Sequence, residues 1–132
     1  MTAPSPGMQE PLVLIVDDSA VNLKLARDVL GAAGFRTLEA ASAAEAIALT
    51  EAKLPDVILM DVRLPDMSGA DAAKALGSRK HTAHIPVVAL SALALESDTD
   101  WQLAGFAGHV AKPIDVGVFP EQVRRYCVRH ES

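Results

Sequence analysis

Apolar residues recur along this chain in two alternating patterns. Short continuous runs, the mark of strands buried on both faces, stand at Leu12-Val13-Leu14-Ile15-Val16 and Val57-Ile58-Leu59-Met60. They predict a first strand over residues 12–16 and a third over 56–60, with shorter strands over 36–40, 86–90 and 108–111. Between the runs the spacing turns helical. Leu23, Ala26, Leu30 and Ala33 share one face after Ser19, a capping residue type, and Gly34 stops that helix. Ser42 caps a second helix through about residue 52, with Ala46, Ile47 and Leu49 available for burial. The stretch Leu64-Pro65-Asp66-Met67-Ser68-Gly69 is rich in turn formers and reads as a loop. A third helix is expected over 70–76, a polar connection over 77–85, a fourth helix over 94–103 and a last one over 116–129. Val118, Phe119, Val123, Tyr126 and Cys127 form the apolar set of the last helix, and Pro120 is tolerated in its first turn.

Strands alternating with helices imply βαβ units and a parallel sheet, with right-handed crossovers placing helices on both faces. The fold class is therefore α/β, a doubly wound five-stranded parallel sheet. The chain's 132 residues suit one domain, and half of them are hydrophobic, enough for a core that needs no cross-link. Residues 1–11, with Pro4, Pro6, Gly7 and Pro11, read as a flexible leader before a domain spanning 12–130.

Composition excludes several classes. Cys127 is the one cysteine, so an internal disulfide is impossible and a structural zinc site is not expected. A net charge of −5 argues against nucleic acid as a partner, and Arg79-Lys80 and Arg124-Arg125 read as solvated charges. The leader has no basic region followed by an apolar stretch, and the longest nearly apolar run, 85–95, is too short to span a membrane. A cytoplasmic location without membrane contact follows.

Candidate chemistry lies at the strand ends. Asp17 and Asp18 end the first apolar run and Asp61 ends the third, so three carboxylates should meet at the carboxyl ends of two core strands. Open α/β sheets bind ligands there. Like charges in one crevice need a cation or raised pKa values. The arrangement predicts a divalent-metal site with a reactive carboxylate, although each aspartate alone would read as a helix or turn cap.

Taken in order, Val16-Asp17-Asp18, Met60-Asp61-Val62-Arg63-Leu64-Pro65-Asp66-Met67-Ser68-Gly69, Val88-Ala89-Leu90-Ser91-Ala92 and Lys112-Pro113 resemble the receiver domain of two-component response regulators, the chemotaxis-type single domain. The resemblance covers nearly everything from residue 12 to 129. It implies a flavodoxin-like sheet of order 2-1-3-4-5. It implies that Asp61 accepts a phosphoryl group from a sensor histidine kinase or a histidine phosphotransfer protein. By the same resemblance Asp17, Asp18, Asp61 and the backbone carbonyl of Arg63 hold Mg²⁺, Lys112 pairs with the phosphoryl group, Ser91 bonds one of its oxygens, and the Lys112-Pro113 bond is cis. The chain would be a signalling switch rather than an enzyme, without a DNA-binding output domain. It would signal to a downstream protein through the face of the fourth helix, fifth strand and last helix.

The chain departs from the family pattern at His109, where Tyr or Phe is usual; a pH-sensitive switch and a passive strand-end histidine both remain open there. Arg63 and Leu93, two residues beyond Asp61 and Ser91, are expected to cover the phosphoryl group and slow its hydrolysis. His81 and His84 lack a third ligand nearby and read as solvated. Cys127 and Trp101 read as packing residues. Two rival readings fit less well. A haloacid-dehalogenase-like phosphatase would carry its nucleophile after strand one. A flavodoxin-like electron carrier would need a phosphate-binding loop where Asp17-Asp18 stands.

Overall fold

The computed structural model describes residues 10–91 and 104–127. Their elements are β1 (Leu12–Val16), α1 (Ala20–Ala32), β2 (Arg36–Ala40), α2 (Ala43–Lys53), β3 (Val57–Asp61), α3 (Gly69–Gly77), β4 (Val87–Ser91), β5 (Gly108–Ala111) and α4 (Phe119–Cys127). The helix expected over 94–103, with Trp101, falls outside the described residues, as do Leu93 and most of the expected leader.

The five strands form one sheet of order β2-β1-β3-β4-β5, and every pairing is parallel. Side chains alternate across the sheet, which divides the core into two layers. Leu14, Val16, Ile58 and Met60 face one way and pack with Ala43 and Ala46 of α2 and Ala72 and Leu76 of α3. Val13, Ile15, Val57 and Leu59 face the other and pack with Leu23 and Leu30 of α1 and Phe119 and Val123 of α4. Because β1 and β3 are covered on both faces, their sequences read as unbroken apolar runs rather than alternating ones. The edge strand β2 has only Ala40 buried, which explains its more polar sequence.

Serines start the first three helices as expected of capping residues. Ser19, Ser42 and Ser68 accept from the backbone N–H groups of Asn22, Glu45 and Asp71 at 3.3, 3.2 and 3.1 Å. Glu45 reaches back past the cap and accepts from Ala41 N–H at 2.7 Å. Gly34, at φ 96°, takes the left-handed turn after α1 that side chains resist.

Three expectations shift. β3 begins and ends one residue later than expected, so Asp61 lies inside the strand and Asp56 outside it, accepting from Leu12 N–H at 2.8 Å. β4 likewise runs on to include Ser91. The last helix starts at Phe119, because the Asp115 carbonyl takes the N–H groups of Val118 and Phe119 in a preceding turn, and Val118 is left exposed. Cys127 is buried as a packing residue, and burial, reinforced by the charge of Asp56, pushes its thiol up to about 12 against the pull of Arg124. Arg124 also donates to the Ala33 carbonyl at 3.2 Å and lies over the Phe35 ring at 4.8 Å.

Candidate functional site

β1 and β3 are neighbours, and both run out at the same sheet end. β1 pairs with β2 on its other side, so its carboxyl end lies at the reversal of strand order, where the connections to α1 and α3 leave opposite faces of the sheet. Asp17 is the first residue past β1. Its N–H donates to the Ala40 carbonyl at 3.1 Å, which aims the side chain across the strand ends. The Asp17 carboxylate is 1% exposed; Oδ1 accepts from Ser19 N–H at 2.9 Å and Oδ2 from the Asn22 amide at 3.2 Å. Asp18 is exposed at the rim. Asp61 is buried at the end of β3, and its Oδ1 accepts from Arg63 N–H at 3.0 Å.

Lys112 joins the two buried carboxylates. Its Nζ lies 2.9 Å from Asp17 Oδ2 and 3.1 Å from Asp61 Oδ2. Burial alone would lower the ammonium's pKa, but hydrogen bonds and charge from Asp17 and Asp61 outweigh it and hold the group above its ordinary range. The lysine follows β5 directly, and its N–H donates to the Ser91 carbonyl at 3.0 Å, so β4 and β5 fix its backbone together. The Lys112-Pro113 bond is cis, as the resemblance implies. Ser91, 3% exposed, ends β4 opposite Ala111. His109 is half-buried in β5, paired with Ala89.

Asp17, Asp18 and Asp61 each offer a carboxylate oxygen, and the three lie within 4.8 Å of one another. With one ammonium among them, the three acids retain two negative charges. Hard oxygen donors in that number, open to water on the Asp18 side, fit a Mg²⁺ ion, which keeps several waters and takes few carboxylates. Among the described residues no other cluster of this kind occurs, and His81 and His84 gain no third ligand.

The loop after Asp61 packs tightly. Gly69 N–H donates to the Val62 carbonyl at 3.0 Å, and a Cβ at Gly69 would stand 2.4 Å from the Asp61 carbonyl oxygen, so only glycine permits this approach. Arg63, exposed, bridges to Ser68. Sequence reasoning missed two participants. Asn22 lies in the first turn of α1, three residues past Ser19; that spacing, which turns it toward Asp17, was the available signal. Asp66 looked like a turn former, yet its carboxylate reaches α2.

The sequence matches the response regulator receiver domain family over residues 13–124. It is 38% identical over 115 residues to the polar-differentiation response regulator DivK of Brucella ovis, an alignment covering 86% of this chain and 94% of that one. A putative response regulator from Chloroflexus aurantiacus superposes with a TM-score of 0.84 at 27% identity, covering 92% of this chain and 100% of that chain. The receiver domain of the Pseudomonas aeruginosa sensor histidine kinase PA1611, solved with a magnesium ion coordinated in its active-site cleft, superposes at 0.81 with 28% identity, covering 90% and 98%.

Proposed function

We propose, from the premise that this chain belongs to the response regulator receiver family, that Asp61 accepts a phosphoryl group from a histidine kinase or a histidine phosphotransfer protein. The observation that carries the reading is the sharing of Lys112 Nζ by Asp17 and Asp61 at 2.9 and 3.1 Å, with Asp18 within reach of both carboxylates.

In this reading Asp61 Oδ2 is the nucleophile. The oxygen attacks phosphorus as the bond to the donor nitrogen breaks, giving an aspartyl phosphate. Arg63 N–H holds Oδ1 and so turns the other oxygen toward the donor. Lys112 then follows the new charge, from carboxylate to phosphoryl oxygen, and Ser91 donates its hydroxyl to another. Asp17 is oriented by Ser19 N–H and Asn22. Mg²⁺ would be held by Asp17, Asp18, Asp61 and the Arg63 carbonyl, and when bound it offsets charge on the transferring group. Arg63 and Leu93, two residues beyond Asp61 and Ser91, would shield the product from water.

The output would be a changed protein surface. Phosphorylation adds nearly two negative charges. Drawing Ser91 toward them moves the end of β4, and a downstream protein would dock on the face of the helix expected over 94–103, β5 and α4. Among the described residues no helix is long and apolar enough to cross a membrane. The test is incubation with Mg²⁺ and acetyl phosphate. Wild type should take up one acid-stable, base-labile phosphoryl group per chain, and Asp61→Ala none. Equal labelling of both would overturn the assignment.

A further inference from the structure

The acceptor loop is tied at its tip to a helix that contributes nothing to the carboxylate cluster. Residues 62–69 leave β3 and fold back, with Val62 N–H on the Leu90 carbonyl at 3.3 Å, Gly69 N–H on the Val62 carbonyl at 3.0 Å, and a bridge between Arg63 and Ser68. Those contacts anchor the base of the loop. The tip is anchored by Asp66, whose Oδ1 accepts from Ala43 N–H and Oδ2 from Ala44 N–H, both at 2.9 Å. A helix start leaves its first N–H groups without intrahelical partners, and its dipole favours an anion. Backbone bonds, chiefly those from Ala43 and Ala44, hold the Asp66 carboxyl below the usual range against an opposing effect of burial. Yet α2 already has its own cap, with Ser42 accepting from Glu45 N–H and Glu45 accepting from Ala41 N–H just before it. Asp66 adds a strut between two segments separated by more than twenty residues. The far end of that strut is seated in the core, where Ala43 and Ala46 are fully buried.

We infer that Asp66 is a positioning residue for the phosphoacceptor site. By pinning loop 62–69 to the N-terminus of α2, it holds Arg63, whose N–H orients the Asp61 carboxylate and whose carbonyl is assigned to Mg²⁺. The consequence for metal rests on the function proposed above; the positioning itself rests on the hydrogen bonds.

The test compares Asp66→Ala, Asp66→Asn and Ser42→Ala with wild type. Ser42→Ala removes a cap from the same helix end without touching the loop, so it reports any effect of merely weakening α2. Amide hydrogen exchange in the metal-free protein is the first readout. Exchange at Arg63 and Gly69 should quicken by about tenfold in Asp66→Ala, by less in Asp66→Asn, which keeps one acceptor, and not at all in Ser42→Ala. Mg²⁺ titration is the second: the dissociation constant should rise roughly tenfold in Asp66→Ala, the size expected when a group supporting a ligand is removed, and stay at the wild-type value in Ser42→Ala. Wild-type exchange and metal affinity in Asp66→Ala, or a Ser42→Ala variant that reproduces both losses, would overturn the inference. A wild type that neither binds Mg²⁺ nor takes up phosphate would overturn the function instead, and the exchange rates alone would then decide the role of Asp66.

Discussion

The crevice above β1 and β3 and the apolar layers flanking the same strands are held in opposite ways. Leu59 and Ile15 are at most 1% exposed among aliphatic neighbours, and their stabilisation follows from area removed from water. Two residues further along, Asp17 and Asp61 are also buried, and nothing apolar compensates them. They persist because Lys112, Ser19 N–H, Asn22 and Arg63 N–H supply bonds, and even then the crevice stays short of positive charge. The lesson is that the core is complete in its own packing, whereas the crevice keeps buried carboxylates in excess of the one ammonium that joins them.

The largest break in that contrast is chemical. Asp61→Asn should take up no phosphate under conditions that label wild type fully, while Leu59→Ala, if kept folded, should label normally. Mass spectrometry of the intact chain reads both. Next comes stability. Leu59→Ala should cost about 2–5 kcal/mol in denaturant unfolding, whatever the metal concentration. Lys112→Met should cost about 3 kcal/mol without metal, because it leaves two buried carboxylates unpaired. Millimolar Mg²⁺ should recover part of that loss, and no recovery would argue that the cation binds elsewhere.

A smaller effect is metal-linked stabilisation. At tenfold excess over its dissociation constant Mg²⁺ should stabilise wild type by about 1.4 kcal/mol, seen as a rise in Tm. Asp17→Asn should show little of it. An effect of another kind appears only at high pH. The Cys127 thiol rises from 9.0 to about 12 on folding. A raised folded value means that its contribution is complete below pH 9 and is lost as pH climbs toward 12. The native thiol should therefore resist a thiol reagent at pH 8 and react once the chain is unfolded; rapid labelling of the folded protein would contradict its burial.

Much of this was legible in residue order. Runs such as Leu12 to Val16 announce strands covered on two sides, serines at positions 19 and 42 announce helix starts, and aspartates ending the runs announce a charged sheet end. The edges were less legible. Asp61 counts as strand because β4 supplies its partner Leu90, which no local pattern reports. The last helix was expected too early because Val116 and Val118 look like core residues, and only the Asp115 turn reveals that they face solvent.

What the sequence by itself determined is therefore the alternation of elements and the kinds of group that meet at the sheet end, since hydrophobic period and capping chemistry are local. Tertiary structure alone decided that Lys112 spans Asp17 and Asp61 and that Asp66 holds the start of α2. Each of these is a contact whose partner is chosen by how strands and helices pack, and a short polar side chain carries no record of the distant backbone it will meet.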